Sequence, residues 1–372
     1  MLAALAAAML MACGGCGASP KSSASNASAT TGTSIGLMTG TVSQSEEEYR
    51  AAEQLARRFP GRVKIVTYPD NFMQEQETII AQMTGLASDP NIKVIIASQA
   101  VPGSVAAARK IREQRPDILI GFIKPQEDPK LVGQAADITI NADELARGRT
   151  MLEEAKAMGA ATYVHYSFPR HMSMELLAGR RAVMEREAKQ LGMKFVYVAA
   201  LDPMGEGGLP AAQQFILEDV PREVRLYGKN TAFFSTNCGM QEPLIRSVME
   251  QGAYLPEQCC PSPTHGYPGA LGIRIPPEHA GDMAYINAEN RRIVTEHHMN
   301  GHFGTWVAPE TMVATRAMAR LLMDAVDKHV DYKDQATVQR YLAEEAGADV
   351  QLKRFESAGG NQYLMLLAHQ IY

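Results

Sequence analysis

Residues 92–123 read IKVIIASQAVPGSVAAARKIREQRPDILIGFI, and their pattern of apolar residues indicates the fold class. It contains two short, continuous apolar runs, Val94-Ile95-Ile96 and Ile118-Leu119-Ile120. Runs of this length without alternation are typical of strands that are covered on both faces. We predict strands at 92–98 and 117–123 with a helix at 101–114 between them, which is the repeating unit of a parallel sheet.

The same unit recurs on both sides of this stretch. The first series is completed by strands predicted at 34–40, 62–68 and 138–140, with helices at 44–59 and 73–87. After a long helix at 143–158, a second series follows, with strands at 161–166, 194–200 and 232–235 and helices at 172–191, 210–219 and 241–251. This order predicts an α/β protein of two doubly wound parallel-sheet lobes joined by a hinge.

The length of the chain also favours two lobes, because it exceeds what one hydrophobic core typically serves. We assign residues 34–141 plus about 276–345 to an N-terminal lobe, and 142–275 plus about 346–372 to a C-terminal lobe. Residues 350–355 and 363–369 flank the turn sequence Ala358-Gly359-Gly360-Asn361 and predict a terminal hairpin.

The N-terminus has the layout of a lipoprotein export signal at residues 1–13. An apolar stretch at 2–11 precedes Cys13, although no Lys or Arg stands before it, and it is too short to span a bilayer. We take Cys13 as the lipidated residue, with Cys16 as the alternative. Residues 14–33 are rich in Ser, Ala and Thr and predict a flexible tether. The body is therefore expected outside the cytoplasm, lipid-anchored to the cell membrane, in the periplasm or on the outer face of the membrane.

Composition narrows the choice of partner and of chemistry. The formal net charge of −5 argues against nucleic acid as a partner. In an oxidising compartment Cys238 could pair with Cys259 or Cys260, which would stabilise the fold by roughly 3 kcal/mol and leave one thiol over; plain buried thiols are the alternative. A zinc site is disfavoured because adjacent side chains such as Cys259 and Cys260 rarely chelate one ion. We expect no metal and no cofactor.

Residues 140–148 read INADELARG, and residues 177–184 read LAGRRAVM. The first segment resembles the lobe-crossing segment of the type 1 periplasmic binding proteins, the ribose- and galactose-binding class of solute receptors. The second resembles the helix that follows the first C-lobe strand of that class. The resemblance implies a monomeric, non-catalytic receptor that captures a small polar ligand between its lobes and delivers it to an ABC-transporter permease. The alternatives are an exported α/β enzyme with His171 or His265 as base, and a ligand-sensing subunit of a signalling system.

Ligands of doubly wound sheets bind beyond the carboxyl ends of the strands. Ser43 is a candidate ligand contact and also a candidate helix cap with Glu46. The guanidinium of Arg170 suits a carboxylate or phosphate ligand. Trp306 is expected to pack in the first lobe. Residues 264–268 are expected to form a hinge or cleft-lining loop. The candidate ligand contacts at the strand ends are Thr39, Thr41, Ser43, Tyr68, Asn71, Ser98, Gln99, Lys124, Tyr166, Ser167, Phe168, Arg170, His171, Asp202 and Asn237.

Overall fold

The structure, a computed structural model, describes residues 32–372. The predicted signal segment with Cys13 and Cys16, and all of the predicted tether except its last two residues, lie outside the described residues. Thr33, which ends the predicted tether, is buried, and its hydroxyl donates to Asp327 at 2.6 Å. The folded body therefore includes the end of that segment. No helix in the described part of the chain combines the length and apolarity that crossing a bilayer requires.

Strands and helices alternate along most of the described chain. The strands are β1 (Ser34–Thr39), β2 (Val63–Thr67), β3 (Ile92–Ser98), β4 (Leu119–Ile123), β5 (Ile138–Ala142), β6 (Thr162–Ser167), β7 (Lys194–Ala199), β8 (Thr231–Ser235), β9 (Gly304–Trp306), β10 (Val350–Arg354), β11 (Gln362–Leu367) and β12 (His369–Ile371). The helices are α1 (Val42–Arg58), α2 (Gln76–Ala87), α3 (Ser104–Gln114), α4 (Pro129–Ala135), α5 (Glu144–Met158), α6 (Pro169–Met172), α7 (Glu175–Gln190), α8 (Gly208–Tyr227), α9 (Gln241–Gln251), α10 (Tyr267–Ala270), α11 (Met283–Glu296), α12 (Glu310–Lys328) and α13 (Gln335–Ala346).

The first lobe is built on a seven-stranded sheet in the order β10-β11-β5-β4-β3-β1-β2. Its strands are parallel except β10, which pairs antiparallel with β11 as the predicted hairpin. Leu37 in the centre of β1 lies in register with Ile65 of β2 and Ile96 of β3. Helices cover both faces, so most of these apolar residues are buried, and the interpretation of 92–123 as strand, helix and strand is confirmed.

The second lobe contains the parallel sheet β7-β6-β8. Single bridges continue it from Ala232 to Tyr254 and from Leu255 to Phe303, next to the antiparallel pair β9 and β12. The predicted class of two doubly wound lobes is therefore confirmed, with antiparallel pairs at the outer ends.

The last third of the chain is divided between the lobes differently from the prediction. Residues 283–303 pack in the second lobe, where Val294 of α11 and Phe303 join its core, rather than in the first. Residues 350–367 belong to the first lobe, because β11 pairs with β5. Only β12 at the terminus returns to the second lobe. The apolar strand β11 fits here because it needs neighbours on both edges and helices on both faces.

The chain crosses between the lobes at 142–144, 306–310 and 367–369, and these crossings form the hinge. At the first crossing, Asp143 caps α5 by accepting a hydrogen bond from the backbone N–H of Ala146. At the second crossing, Trp306 is fully buried and its ring joins the core of the first lobe.

Candidate functional site

A cleft of about 1490 Å³ lies where the carboxyl ends of the strands of both lobes meet. Five of the predicted contact residues line it: Gln99 and Lys124 from the first lobe, and Arg170, His171 and Asn237 from the second. Each follows the end of a strand by one to four residues. The expected loop at 264–268 also contributes, through Thr264, His265, Gly266 and Pro268.

Other predicted contacts are turned into the cores instead. Ser98 is buried against the hydroxyl of Thr315 at 2.8 Å, and Ser167 against that of Thr236 at 2.9 Å. A residue that ends a strand still has helices above and below it, so its side chain is enclosed rather than presented. The predicted contacts that are buried and do not line the cleft are Thr39, Tyr68, Ser98, Tyr166, Ser167 and Phe168.

The remaining predicted contacts serve local structure at the rim. The hydroxyl of Thr41 donates to Asp70 at 2.5 Å, and the carbonyl of Asn71 accepts the backbone N–H of Gln74 in a turn. The backbone at Ser43 is in α1, and its side chain lies outside the described part of the chain, so its predicted cap and contact roles stay predictions.

Gln99 and Lys124 share an unusual backbone conformation. Their φ angles are 59° and 46°, in the left-handed region that non-glycine residues rarely adopt. Each is the first residue after its strand, and the turn carries each side chain to the cleft lining. Such conformations cost about 1–2 kcal/mol and concentrate at functional sites. The presence of two of them here therefore supports a functional role for the first-lobe side of the cleft.

Arg170 is ion-paired rather than presented to an anion. Its guanidinium donates two hydrogen bonds of 2.8 Å to the two oxygens of Asp202. This fork geometry uses the donors that would grip a carboxylate or phosphate ligand. Arg170 and Asp202 were both predicted as ligand contacts, but they pair with each other.

His171 is a poor proton acceptor in this fold. Burial, followed by the nearby charge of Arg170, lowers the pKa of the imidazole to about 3. Its Nδ1 lies 3.1 Å from the hydroxyl of Thr236, and its ring packs on Phe168. A base with such a low pKa binds few protons near neutrality.

Glu47 of α1 connects the first lobe to a loop of the second. Its carboxylate accepts hydrogen bonds from the hydroxyls of Ser262 and Thr264. Burial raises the pKa of Glu47 to about 7, although these two hydrogen bonds oppose the shift. A second contact joins the lobes where Lys124 Nζ lies 2.8 Å from Cys260 Sγ and 3.4 Å from Glu310. Side-chain contacts therefore connect the two lobes along one wall of the cleft.

Three thiols and an imidazole cluster beside Lys124. Cys238 Sγ lies 3.2 Å from Cys260 Sγ and 3.3 Å from Cys259 Sγ, and Cys259 Sγ lies 3.4 Å from His265 Nε2. A disulfide needs about 2.05 Å, and all three cysteines are free thiols, so the predicted disulfide is wrong for this structure. The sequence analysis considered the three cysteines together but did not predict that His265 lies beside them. That proximity is visible only in the folded structure.

A buried polar network holds the loop that carries this cluster. The side-chain amide of Gln258 donates to the carbonyls of Ser262 at 2.8 Å and His265 at 3.2 Å. Asn290, also fully buried, donates to the carbonyl of Pro263 at 2.8 Å. The loop is thus closed by side chains from its own start and from α11.

The same loop begins in an ion network at the hinge. Arg147 is fully buried and donates to Glu257 at 2.6 Å, to Glu144 at 2.8 Å and to the carbonyl of Gln258 at 2.9 Å. His369 contacts Glu154 through Nδ1 and lies 2.7 Å from Glu257 through Nε2. Burial opposes the charge on His369, but the two carboxylates outweigh it and raise the pKa to about 10. Burial likewise opposes the charge on Glu257, yet the neighbouring cations lower its pKa to about 2.

Comparisons with known proteins cover most of this body. The family model described as "Protein of unknown function (DUF3798)" matches residues 33–304. Two proteins of Treponema pallidum (strain Nichols), each named "Uncharacterized protein", are similar in sequence. One is 38% identical over 173 residues, which is 46% of this chain and 80% of that protein, and the other is 36% identical over 178 residues with the same coverage.

Solved structures share the fold at lower identity. A proposed transcriptional regulator from Clostridium difficile 630 has a TM-score of 0.75 at 23% identity, covering 92% of this chain and 99% of that one. A sugar ABC transporter from Actinomyces odontolyticus has a TM-score of 0.54 at 12% identity, covering 82% and 86%. A periplasmic solute-binding protein of an ABC transporter from Actinobacillus succinogenes 130z, with bound D-allose, has a TM-score of 0.53 at 12% identity, covering 80% and 92%.

Proposed function

We propose that this chain, which belongs to the DUF3798 family, is a solute receptor that closes its two lobes around an uncharged polar molecule. The observation that carries the proposal is the cleft itself, whose walls come from both lobes at the carboxyl ends of their strands. Fold likeness to sugar-binding receptors of ABC transporters supports it. Ligand contacts that exist only in the closed state shift the population of lobes towards closure.

The charges of the cleft favour an uncharged or cationic solute over an anion. Acidic side chains outnumber basic ones in the lining, and each Arg and Lys side chain in it already has an ionic partner. A bound anion would therefore compete with a carboxylate for a cation that is already paired. The pairs are Arg50 with Glu46, Lys124 with Glu310, Arg170 with Asp202, and Arg180 with Glu144.

The size and walls of the cleft set a further limit on the solute. Its volume of about 1490 Å³ exceeds the range of roughly 300–1,000 Å³ of typical small-molecule pockets. Met73, Met174, Met204, Met283 and Met312 are part of its lining and provide adaptable apolar walls. We propose a polar ring-bearing solute that places its hydroxyls on the Gln99 and Asn237 side.

The histidines considered as bases support binding rather than chemistry. A pKa of about 3 makes the imidazole of His171 a weak general base, and burial lowers the pKa of His265 as well, which weakens it as a base in the same way. We therefore propose that the solute is released unaltered. Its destination is an ABC-transporter permease, to which the receptor delivers it as a monomer outside the cytoplasm.

We propose that a lipid on Cys13 attaches the protein to the membrane, with residues 14–31 as the tether. Metabolic labelling of the full chain with a fatty-acid analogue should mark the wild type and Cys16→Ser but not Cys13→Ser. Label that persists in Cys13→Ser and disappears in Cys16→Ser would move the anchor to Cys16. Absence of label from all three proteins would remove the anchor from the proposal.

The solute is identified by native mass spectrometry of the protein purified without denaturation, followed by thermal shifts with neutral sugars and with sugar phosphates. We expect neutral compounds to stabilise the protein, by about 2.7 kcal/mol at one hundred times Kd, and sugar phosphates to have no effect. Gln99→Ala removes one cleft amide and should weaken binding by about 2- to 10-fold. Gln190→Ala, at the exposed end of α7, is the matched control and should leave the affinity unchanged. Binding of sugar phosphates alone, or recovery of a chemically altered compound, would overturn the proposal.

A further inference from the structure

The side chains of Cys238, Cys259, Cys260 and His265 converge on one point in the wall of the cleft. One ligand atom from each lies within 4.8 Å of the ligand atom of every other. Cys238 follows β8, whereas the other three belong to the loop between Leu255 and α10. The chain bends at Cys259 and Cys260, which turns two consecutive side chains to the same side and leaves their sulfurs 3.6 Å apart.

The spacing of these atoms matches the ligand shell of a tetrahedral metal ion. With Zn–S bonds of about 2.3 Å and Zn–N bonds of about 2.0–2.1 Å, neighbouring sulfurs lie about 3.8 Å apart and sulfur and nitrogen about 3.6 Å apart. The observed S···S separations run from 3.2 to 3.6 Å, Cys259 Sγ lies 3.4 Å from His265 Nε2, and every other pair of ligand atoms lies within 4.8 Å. A small outward movement of the sulfurs opens the space for the ion.

We propose that these four side chains hold one resident divalent d-block cation, with Zn²⁺ as the best fit. Three thiolates and an imidazole form a closed four-ligand shell, which is typical of structural zinc. Sulfur and imidazole ligands also exclude Mg²⁺ and Ca²⁺, which require oxygen. This site goes beyond the proposed function and stands if the cleft carries a different solute.

The charge of the filled site has a compensating partner in the other lobe. Three thiolates and a divalent cation carry a net charge of −1, and Lys124 Nζ lies 2.8 Å from Cys260 Sγ. Lys124 is shared with Glu310 at 3.4 Å, and it reaches the cluster from the strained turn after β4. The bound cation thus connects the second-lobe loop to the first lobe by a charge-assisted contact.

The ligand loop is held in place before any cation arrives. Gln258 closes the loop onto the carbonyls of Ser262 and His265, and Asn290 fixes Pro263. Asn237 accepts a hydrogen bond from the backbone N–H of Gly239 and so shapes the turn that carries Cys238. Support of this kind around metal ligands typically accounts for 10- to 100-fold in affinity.

The test is titration of the full chain, purified with a reductant in the absence of oxygen and stripped with a chelator. We expect one equivalent of Zn²⁺ to bind, and one equivalent of Co²⁺ to give the visible absorption of a tetrahedral site with sulfur-to-metal charge transfer. Bound Zn²⁺ should protect three cysteines of the wild type from alkylation, with Cys238, Cys259 and Cys260 identified by peptide mass spectrometry. This readout needs no variant, so it does not depend on a variant's folding.

Variants locate the ligands. Cys260→Ser and His265→Ala should each weaken Zn²⁺ binding by at least about tenfold and change the Co²⁺ spectrum. His297→Ala, on an exposed histidine, and the double variant Cys13→Ser/Cys16→Ser are the controls and should retain one equivalent. The proposal is wrong if the reduced wild type binds no equivalent of either metal, if the three cysteines stay reactive in its presence, or if binding disappears only in the Cys13/Cys16 variant.

Discussion

Replacing Arg147 by methionine should destabilise the protein by about 3–5 kcal/mol, because the change removes one partner from a buried ion network. The guanidinium is fully buried and donates to Glu257, Glu144 and the carbonyl of Gln258. Methionine fills much of the same volume, so the expected loss comes from the charge and its hydrogen bonds rather than from a cavity.

The size of the effect follows from what remains after the substitution. Glu257 is fully buried and keeps His369 and the indole N–H of Trp306, which donates at 2.8 Å, but it loses its closest cation. Glu144 keeps Arg180. A buried carboxylate that has lost one of its two cations must either stay charged at a higher desolvation cost or bind a proton, and either outcome stabilises the unfolded state relative to the folded one.

Urea unfolding of the full chain, followed by far-ultraviolet circular dichroism, measures the free energy of unfolding directly. Arg292→Met is the matched control, since Arg292 pairs with Glu289 and Glu296 on an exposed helix face and should change stability by less than about 1 kcal/mol. Adding Glu257→Gln to Arg147→Met should recover part of the loss by removing the stranded charge. A loss no greater than that of the control, or a double variant that behaves additively, refutes the reasoning.

Three further changes test other parts of the structure. His369 binds its proton more tightly in the folded protein, so its contribution to the free energy of unfolding is complete below pH about 6.5 and is lost as the pH rises through about 10. The free energy of unfolding, measured from pH about 6 to 10, should therefore decline, and it should decline less in His369→Gln. Gly121→Val should cost about 1–3 kcal/mol in urea unfolding, because a Cβ there meets the side chain of Met318; an unchanged midpoint would contradict this packing. Asn290→Ala should cost about 1–3 kcal/mol by leaving the carbonyl of Pro263 unpaired, and calorimetry should also show weaker Zn²⁺ binding; equal metal affinity would mean that the loop needs no such support.

Much of the fold is predictable from the sequence because continuous apolar runs have few places to go. Val94, Ile95 and Ile96 are all fully buried, and such a run fits only a strand with helices on both faces. The division of the last third was not predictable in the same way. Residues 276–306 contain a Pro-Pro pair and one amphipathic helix, and nothing local tells α11 which lobe carries the complementary apolar face.

The candidate site shows the same difference between local and distant information. The rule that ligands bind beyond strand ends located the right edge of both sheets. It placed Ser98 and Ser167 in the cleft, although their strands still enclose them, whereas Gln99 and Lys124 one position further are at the surface of the cleft. The left-handed backbone that turns these two side chains outward has no sequence signature, since neither residue is glycine.

The thiol cluster and the hinge network are parts of one structural unit, because they share the segment 257–260. Glu257 is fixed by Arg147 and His369, the carbonyl of Gln258 accepts from Arg147, and Cys259 and Cys260 follow directly. Arg147 lies just beyond the crossing at 142–144, and His369 ends the crossing at 367–369. Any rotation at the hinge must therefore move the base of this segment or be resisted by it. An ion that fixes Cys259 and Cys260 restrains the same segment from its other end, so ion binding and rotation of the lobes are coupled. Ion binding must change the free energy of the rotation by the same amount as the rotation changes the free energy of ion binding.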